Sequence, residues 1–238
     1  MKKLLVSLVL AAFTPGALAA EATEPLDEVY INLDDKASLQ RGARLFVNYC
    51  LSCHSASYMR YNRMARDLGL SEEAVEENLM FATDEIGELM KVSMPAEASE
   101  DWFGVTPPDL TLVTRWRQPE WVYSYMRRFY FDPESPHGWN NSLFQNAAMP
   151  HVMYELQGVQ RFTGHDEEGL PQFELIRAGS MSPEEYDQAM QDLTAFLVYV
   201  GEPARLERYS IGAMVMLFLV PFTILAYFLK KEYWRDVH

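Results

Sequence analysis

The stretch NYCLSCHSASY, Asn48 to Tyr58, holds both cysteines of the 238-residue chain, three apart, with a histidine directly after the second. Chance would place two cysteines and one of five histidines in this way in roughly one sequence in five thousand. A zinc site needs about four ligands, and three this close together cannot close a tetrahedron unaided. A thioredoxin-like dithiol wants a βαβ setting, whereas the flanks here read as helix. C-x-x-C-H is also the spacing for covalent haem attachment: both sulfurs form thioethers to the porphyrin vinyls and the histidine binds the iron. One turn separates Cys50 from Cys53, so both sulfurs meet one porphyrin edge and His54 is carried beneath the metal. One covalently bound haem c is therefore expected.

Working outward, "SLQRGARLFVNY", Ser38 to Tyr49, carries a helical stripe of Leu39, Ala43, Phe46 and Val47 that runs into the motif. Far along the chain, "SPEEYDQAMQDLTAFLVYV" opens with Ser182 as N-cap, Pro183 at the first helical position and Glu185 at the third, a capping box. Tyr186, Met190, Leu193, Phe196 and Leu197 recur there at three and four, and Gly201 and Pro203 end the run. Further helices are expected at Tyr61–Leu68, Ser71–Phe81 and Glu120–Tyr130. A hairpin is expected to pair Val159–Phe162 with Phe173–Ile176 across "DEEG". The fold class is mostly α, with irregular insertions and a small β-hairpin.

The two ends place the chain in a cell. Met1-Lys2-Lys3, the apolar run Leu4–Phe13 and Ala17-Leu18-Ala19 read as a signal peptide, 1–19, removed on export. "IGAMVMLFLVPFTILAYFL", Ile211 to Leu229, has nineteen uncharged residues. At 1.5 Å each they reach about 28 Å, close to the thickness of a hydrocarbon core. Tyr209, Tyr233 and Trp234 sit where interfacial aromatics belong. Lys230, Lys231 and Arg235 mark the cytoplasmic side. The expected organisation is an exported domain at 20–209, a transmembrane helix at 210–229 and a cytoplasmic tail at 230–238. That is a single-pass protein of a bacterial inner membrane with its bulk in the periplasm.

Residues 20–209 hold 32 acidic and 15 basic side chains, a net charge of −17. This disfavours nucleic acid or anionic lipid as a target. Ser71–Asp101 has ten acids against Lys91 alone, either a solvated insertion or a docking field for a basic protein. For the second iron ligand, a thioether favours ferrous iron and raises the potential. Thirteen methionines and four further histidines are candidates by type. Met149, in the small-residue loop "QNAAMPHV", is one candidate, with Met153 and His151 as rivals, although by residue type alone a methionine is more often core filler. His137, His151 and His165 otherwise read as surface or loop residues.

The haem motif, the helix before it and the helix near the end resemble class I cytochromes c. Gly42, Phe46 and Cys50 match that family's first helix, and Leu193–Leu197 its crossing partner. The string CHSxxY at Cys53–Tyr58, "PPDLT" at Pro107–Thr111, "NAAMP" at Asn146–Pro150 and the C-terminal anchor resemble more closely the cytochrome c1 family, the haem subunits of cytochrome bc1 complexes. The likeness covers most of the exported part and is weakest over Ser71–Trp102; the extra cysteine pair of some relatives is absent. It implies His54 and Met149 as axial ligands. It also implies a Pro108 carbonyl that accepts from the histidine, and an Arg117 that pairs with a haem propionate. The implied function is electron transfer from a Rieske iron–sulfur subunit to a soluble or tethered cytochrome c, within a complex, dimeric in the family, that also contains cytochrome b. The chain would not be an enzyme by itself. Two alternatives are a tethered shuttle to an oxidase and a haem enzyme or gas sensor with an open sixth site.

Overall fold

The apolar stripe before the cysteines builds the core. The structure, a computed structural model, describes residues 24–92 and 94–237, so the expected signal peptide lies outside the described residues. Helix α1, Lys36–Leu45, starts where the Asp35 carboxylate accepts the Ser38 N–H at 3.1 Å. It buries Leu39 and Ala43 and passes into a π-helical turn, Phe46–Cys50, that buries Phe46, Val47 and Cys50. A π turn adds a residue to the helical repeat and so re-aims the segment after it, a device common at functional sites.

The chain then forms β1 (Ala56–Arg60), α2 (Tyr61–Leu68), α3 (Glu72–Leu79), β2 (Leu89–Met90) and α4 (Ala96–Phe103). Next come α5 (Val113–Trp116), α6 (Pro119–Arg127), β3 (Phe129–Phe131), β4 (Trp139–Asn141) and α7 (Tyr154–Gln157). Strands β5 (Gly158–His165) and β6 (Pro171–Ala178) precede the long helices α8 (Pro183–Gly201) and α9 (Arg205–Tyr233). The strands pair as three antiparallel ribbons, β1–β2, β3–β4 and β5–β6. The fold is mostly helical, as expected.

Helix α8 is the spine. Its capping box is formed: Ser182 N–H donates to Glu185 at 2.8 Å, and Glu185 N–H to the Ser182 hydroxyl at 3.2 Å. It crosses α1 at Gly42, where a Cβ would lie 2.1 Å from the Asp192 carbonyl oxygen and 2.7 Å from Phe196 Cβ. Only a glycine allows that approach, and Phe46 packs on Phe196 beside it with ring centroids 5.6 Å apart. Asp192, buried at the crossing, accepts from Ser38 at 2.6 Å and from two nitrogens of Arg41 at 2.6 and 3.0 Å, so its charge is fully partnered. Tyr186 donates to the Met126 carbonyl at 2.8 Å and Tyr199 to Asp67 at 3.0 Å, tying α8 to α6 and α2.

Two local expectations change. The helix expected over Glu120–Tyr130 stops at Arg127, and Phe129–Phe131 is a strand. The Arg128 side chain is drawn inward instead, to Glu24 at 3.1 Å, Asp27 at 3.1 Å and the Pro25 carbonyl at 2.6 Å. That clasp needs the N-terminal strap, far away in sequence. The β5–β6 hairpin is longer than expected, eight residues a strand, and an irregularity after Val159 sets that residue opposite Arg177 rather than Ile176. The acidic stretch Ser71–Asp101 is partly ordered: α3 buries Val75 and Leu79 and turns Glu72, Glu73, Glu76 and Glu77 to solvent.

Helix α9 has 29 residues, about 43 Å at 1.5 Å each. It is long and apolar enough to cross a membrane, and none of it is buried. Pro221 lies within it without ending it.

Candidate haem-binding site

The Cys50–His54 segment leaves the π turn as one tight turn, with Cys53 N–H and His54 N–H both donating to the Cys50 carbonyl, at 3.0 and 2.8 Å. Neither cysteine is in a disulfide. Burial pushes the Cys50 thiol up to about 12, so it stays neutral, as a thioether would. His54 donates Nδ1–H to the Pro108 carbonyl at 2.7 Å. That fixes the tautomer and leaves Nε2 with the lone pair a metal needs. Burial lowers the His54 pKa, with the Pro108 bond and Asp109 opposing, which favours the neutral, ligating ring.

The Pro108 carbonyl is held by its neighbour. Asp109 accepts from the Ser57 N–H at 2.9 Å and the Thr111 N–H at 2.8 Å, while Leu110 N–H donates to the Ser55 carbonyl at 2.8 Å. The "PPDLT" segment is thereby zipped to the residues that come after His54. Burial pushes the Asp109 carboxyl up, but the bonds from Ser57 and Thr111 outweigh it and hold it below the ordinary range.

Arg117 and Met149 are connected through α6. The Arg117 guanidinium lies 4.1 Å from the Trp116 ring centroid and 4.8 Å from that of Trp121, a cation over two aromatic rings. Trp121 stacks on Tyr125, one turn on, at 4.9 Å and 10°. The Tyr125 hydroxyl donates to the Met149 sulfur at 3.7 Å. The other side of the Met149 loop is held by His137, whose Nε2–H donates to the Ala147 carbonyl at 2.9 Å, and by Asn140, which accepts the Asn146 N–H at 2.9 Å.

The rival ligands sit differently. Met153 is fully buried in the core. His151, expected at the surface or in a loop, is 1% exposed, stacked on Phe129 at 5.1 Å and met edge-on by Trp139 at 5.2 Å. Burial drives its pKa to about 4, with Gln157 opposing, so it is neutral. It is an aromatic core residue because the β3–β4 ribbon folds over it, which sequence spacing does not reveal. His165, by contrast, is partly exposed and meets Glu24 at 2.5 Å. Met149 keeps part of its surface open, as His54 does.

The sequence matches the Cytochrome C1 family over residues 27–90 and 82–237. A cytochrome c1 of Allochromatium vinosum is 49% identical over the full length of both chains. The chain belongs to the cytochrome C1 family. A Nitrosomonas europaea protein named ammonia monooxygenase gamma subunit is 43% identical, covering 100% of this chain and 99% of its own. A cytochrome c1 of Rhodospirillum rubrum is 29% identical over 85% of this chain and 83% of its own. As a cytochrome C1 family member, the chain is a membrane-anchored electron-transfer subunit of a bc1 complex with one covalently attached haem c, and it is not an enzyme by itself.

The residues present fit that group. Two thiols one turn apart offer thioether sulfurs, and a histidine with its Nδ1 proton engaged offers an iron ligand. A guanidinium packed over two indole rings offers donors to a carboxylate. Sequence reasoning missed Asp109, Trp121, Tyr125 and His137. Asp109 had a local signal, since an Asp two residues before a Thr N–H commonly closes an Asx turn. Trp121 and Tyr125 are spaced four apart on a helix, which predicts contact but not its purpose.

Proposed function

We propose that Cys50 and Cys53 would hold haem c covalently, that His54 and Met149 would bind its iron, and that Arg117 would pair with a propionate. When bound, the haem supplies a one-electron iron centre whose potential a thioether ligand raises. The protein's work is to hold that centre. Pro108 orients the His54 ring, Asp109 braces Pro108, and the Arg117–Trp121–Tyr125 stack braces the opposite ligand loop. The observation that carries this reading is the 2.7 Å bond from His54 to the Pro108 carbonyl, because it prepares the ring nitrogen next to the two thiols.

In the proposed complex the subunit assembles with cytochrome b and a Rieske iron–sulfur protein, takes one electron from the latter and passes it to a cytochrome c. The complex is dimeric, and the haem domain, residues 20–209, faces the periplasm. The signal peptide is residues 1–19, the anchor 210–229 and the cytoplasmic tail 230–238. The basic residues Lys230, Lys231 and Arg235 after the apolar span support this orientation.

Haem staining of denaturing gels tests the attachment. Wild-type protein from a haem-maturing host gives a stained band, and Cys50→Ser with Cys53→Ser abolishes it; an unstained wild-type band refutes the assignment. Mild-detergent purification should bring cytochrome b and Rieske subunits with the chain.

A further inference from the structure

Strand β6 has an edge that the rest of the domain leaves open. It pairs with β5 alone, and among the described residues no backbone group of Pro171–Ala178 takes a backbone partner outside that ladder. Strand β5 is different. It is tied on its other side, where the Gln160 amide donates to the Arg127 and Phe129 carbonyls at 3.0 and 2.7 Å. An open strand edge is a row of unpaired N–H and C=O groups, a template for one more strand. The register adds apolar surface to it. Val159 stands opposite Arg177 and Gln160 opposite Leu175, so Ile176 is an extra residue with no partner on β5. Leu175 is 50% exposed and Ile176 54%.

A cleft of about 370 Å³ opens beside the same strand. Phe173 and Leu175 of β6 line it together with Met181 and Pro183 at the start of α8, and the Arg127–Asp187 ion pair lies within it. Alternate residues of a strand share a face, so a strand added to β6 would send every second side chain toward that cleft. The surroundings set the charge of the visitor. Residues 158–187 hold seven carboxylates against Arg161 and Arg177 alone, and Arg161 is already engaged by Glu174. A second copy of the hairpin would bring the same negative charge, which opposes self-pairing. We propose that the β6 edge is a docking site for an extended segment of a partner protein. That segment carries apolar side chains at alternate positions and lysine or arginine at its flanks.

Two measurements on the full chain test this. Amide hydrogen exchange over residues 171–178 is compared between the chain extracted with its partners in mild detergent and the chain stripped of them. Alternate β6 amides should exchange about tenfold more slowly in the first, the upper end for one ordinary hydrogen bond. Equal exchange in the two states overturns the proposal. In intact membranes, a photoactivatable benzophenone residue in place of Gln172, which is exposed on β6, captures the neighbour, and mass spectrometry reads the segment it joins. An adduct on a segment with alternating apolar residues and basic flanks supports the docking. An adduct on a second copy of this chain, on an acidic segment or on lipid overturns it, as does the absence of an adduct. Leu175→Lys with Ile176→Lys places like charge on the edge and should remove both signals while the unfolding midpoint stays, because both side chains stand in solvent. Signals that survive this change show that the edge does not hold the partner, and the proposal fails.

Discussion

Single side chains divide the site into a prepared half and a braced half. On the histidine side, Pro108 and Asp109 fix a ring within a turn already set by Cys50. On the methionine side, Tyr125 and His137 hold a loop with no regular structure. Met149→Leu should preserve covalent haem, because the proposed attachment is through Cys50 and Cys53. It should lower the potential, since leucine offers iron no lone pair, and it should open the metal to carbon monoxide. Absorption spectra of the reduced protein with and without carbon monoxide check this, together with a redox titration. A variant that keeps the wild-type spectrum and potential moves attention to Met153.

Among the elements, α1 and α8 matter most, because their crossing carries the cysteine-bearing turn. The contact at Gly42 leaves no room for a methyl group: the added carbon would overlap the Asp192 carbonyl, which is backbone and cannot swing away. Gly42→Ala should therefore destabilise the domain by about 3 kcal/mol, the upper part of the range for overpacked interiors. Denaturant unfolding of the haem-bearing domain measures it, and a loss below about 0.5 kcal/mol would show that the two helices can slide apart. The crossing was legible before the structure through the resemblance to class I cytochromes c, carried by Gly42, Phe46 and the run Leu193–Leu197. The helix end at Arg127 was not, because Arg128 turns inward to carboxylates of a strap about a hundred residues earlier in the chain.

At the scale of the molecule, a buried-core domain is joined to a helix with no buried residue. Arg115 reaches Glu202, the residue that caps α8, at 2.9 Å, and with an exposed guanidinium such a pair adds little stability. A chain ending at Gly201 keeps α1 to α8 and should be a soluble, haem-bearing domain after export. Membrane fractionation checks it, and persistent membrane association would show that the anchor lies elsewhere. The acidic domain should also steer a basic cytochrome c, so the association rate should fall as salt rises, with the Debye length about 10 Å at 0.1 M. Glu72, Glu73, Glu76 and Glu77 lie on the solvent side of α3. Replacing them with Gln should flatten the salt slope in stopped-flow mixing. An unchanged slope puts the docking surface elsewhere, and a flat wild-type profile makes the charge a matter of solubility.

The features that the sequence by itself determined are local or periodic. C-x-x-C-H has one strong chemical meaning, Ser182 and Glu185 cap the helix that starts beside them, and nineteen uncharged residues with a basic stop need a bilayer. These arise from spacing along one strand of chain, so no distant residue can change them. The tertiary structure decided the rest. It sealed His151 against Phe129 and Trp139, set Arg117 over two indole rings, and linked that arginine to Met149 through Trp121 and Tyr125. Each of these contacts joins segments whose separation is set by how α6 and the β3–β4 ribbon pack. Packing is a property of the whole core, and no window of sequence contains it.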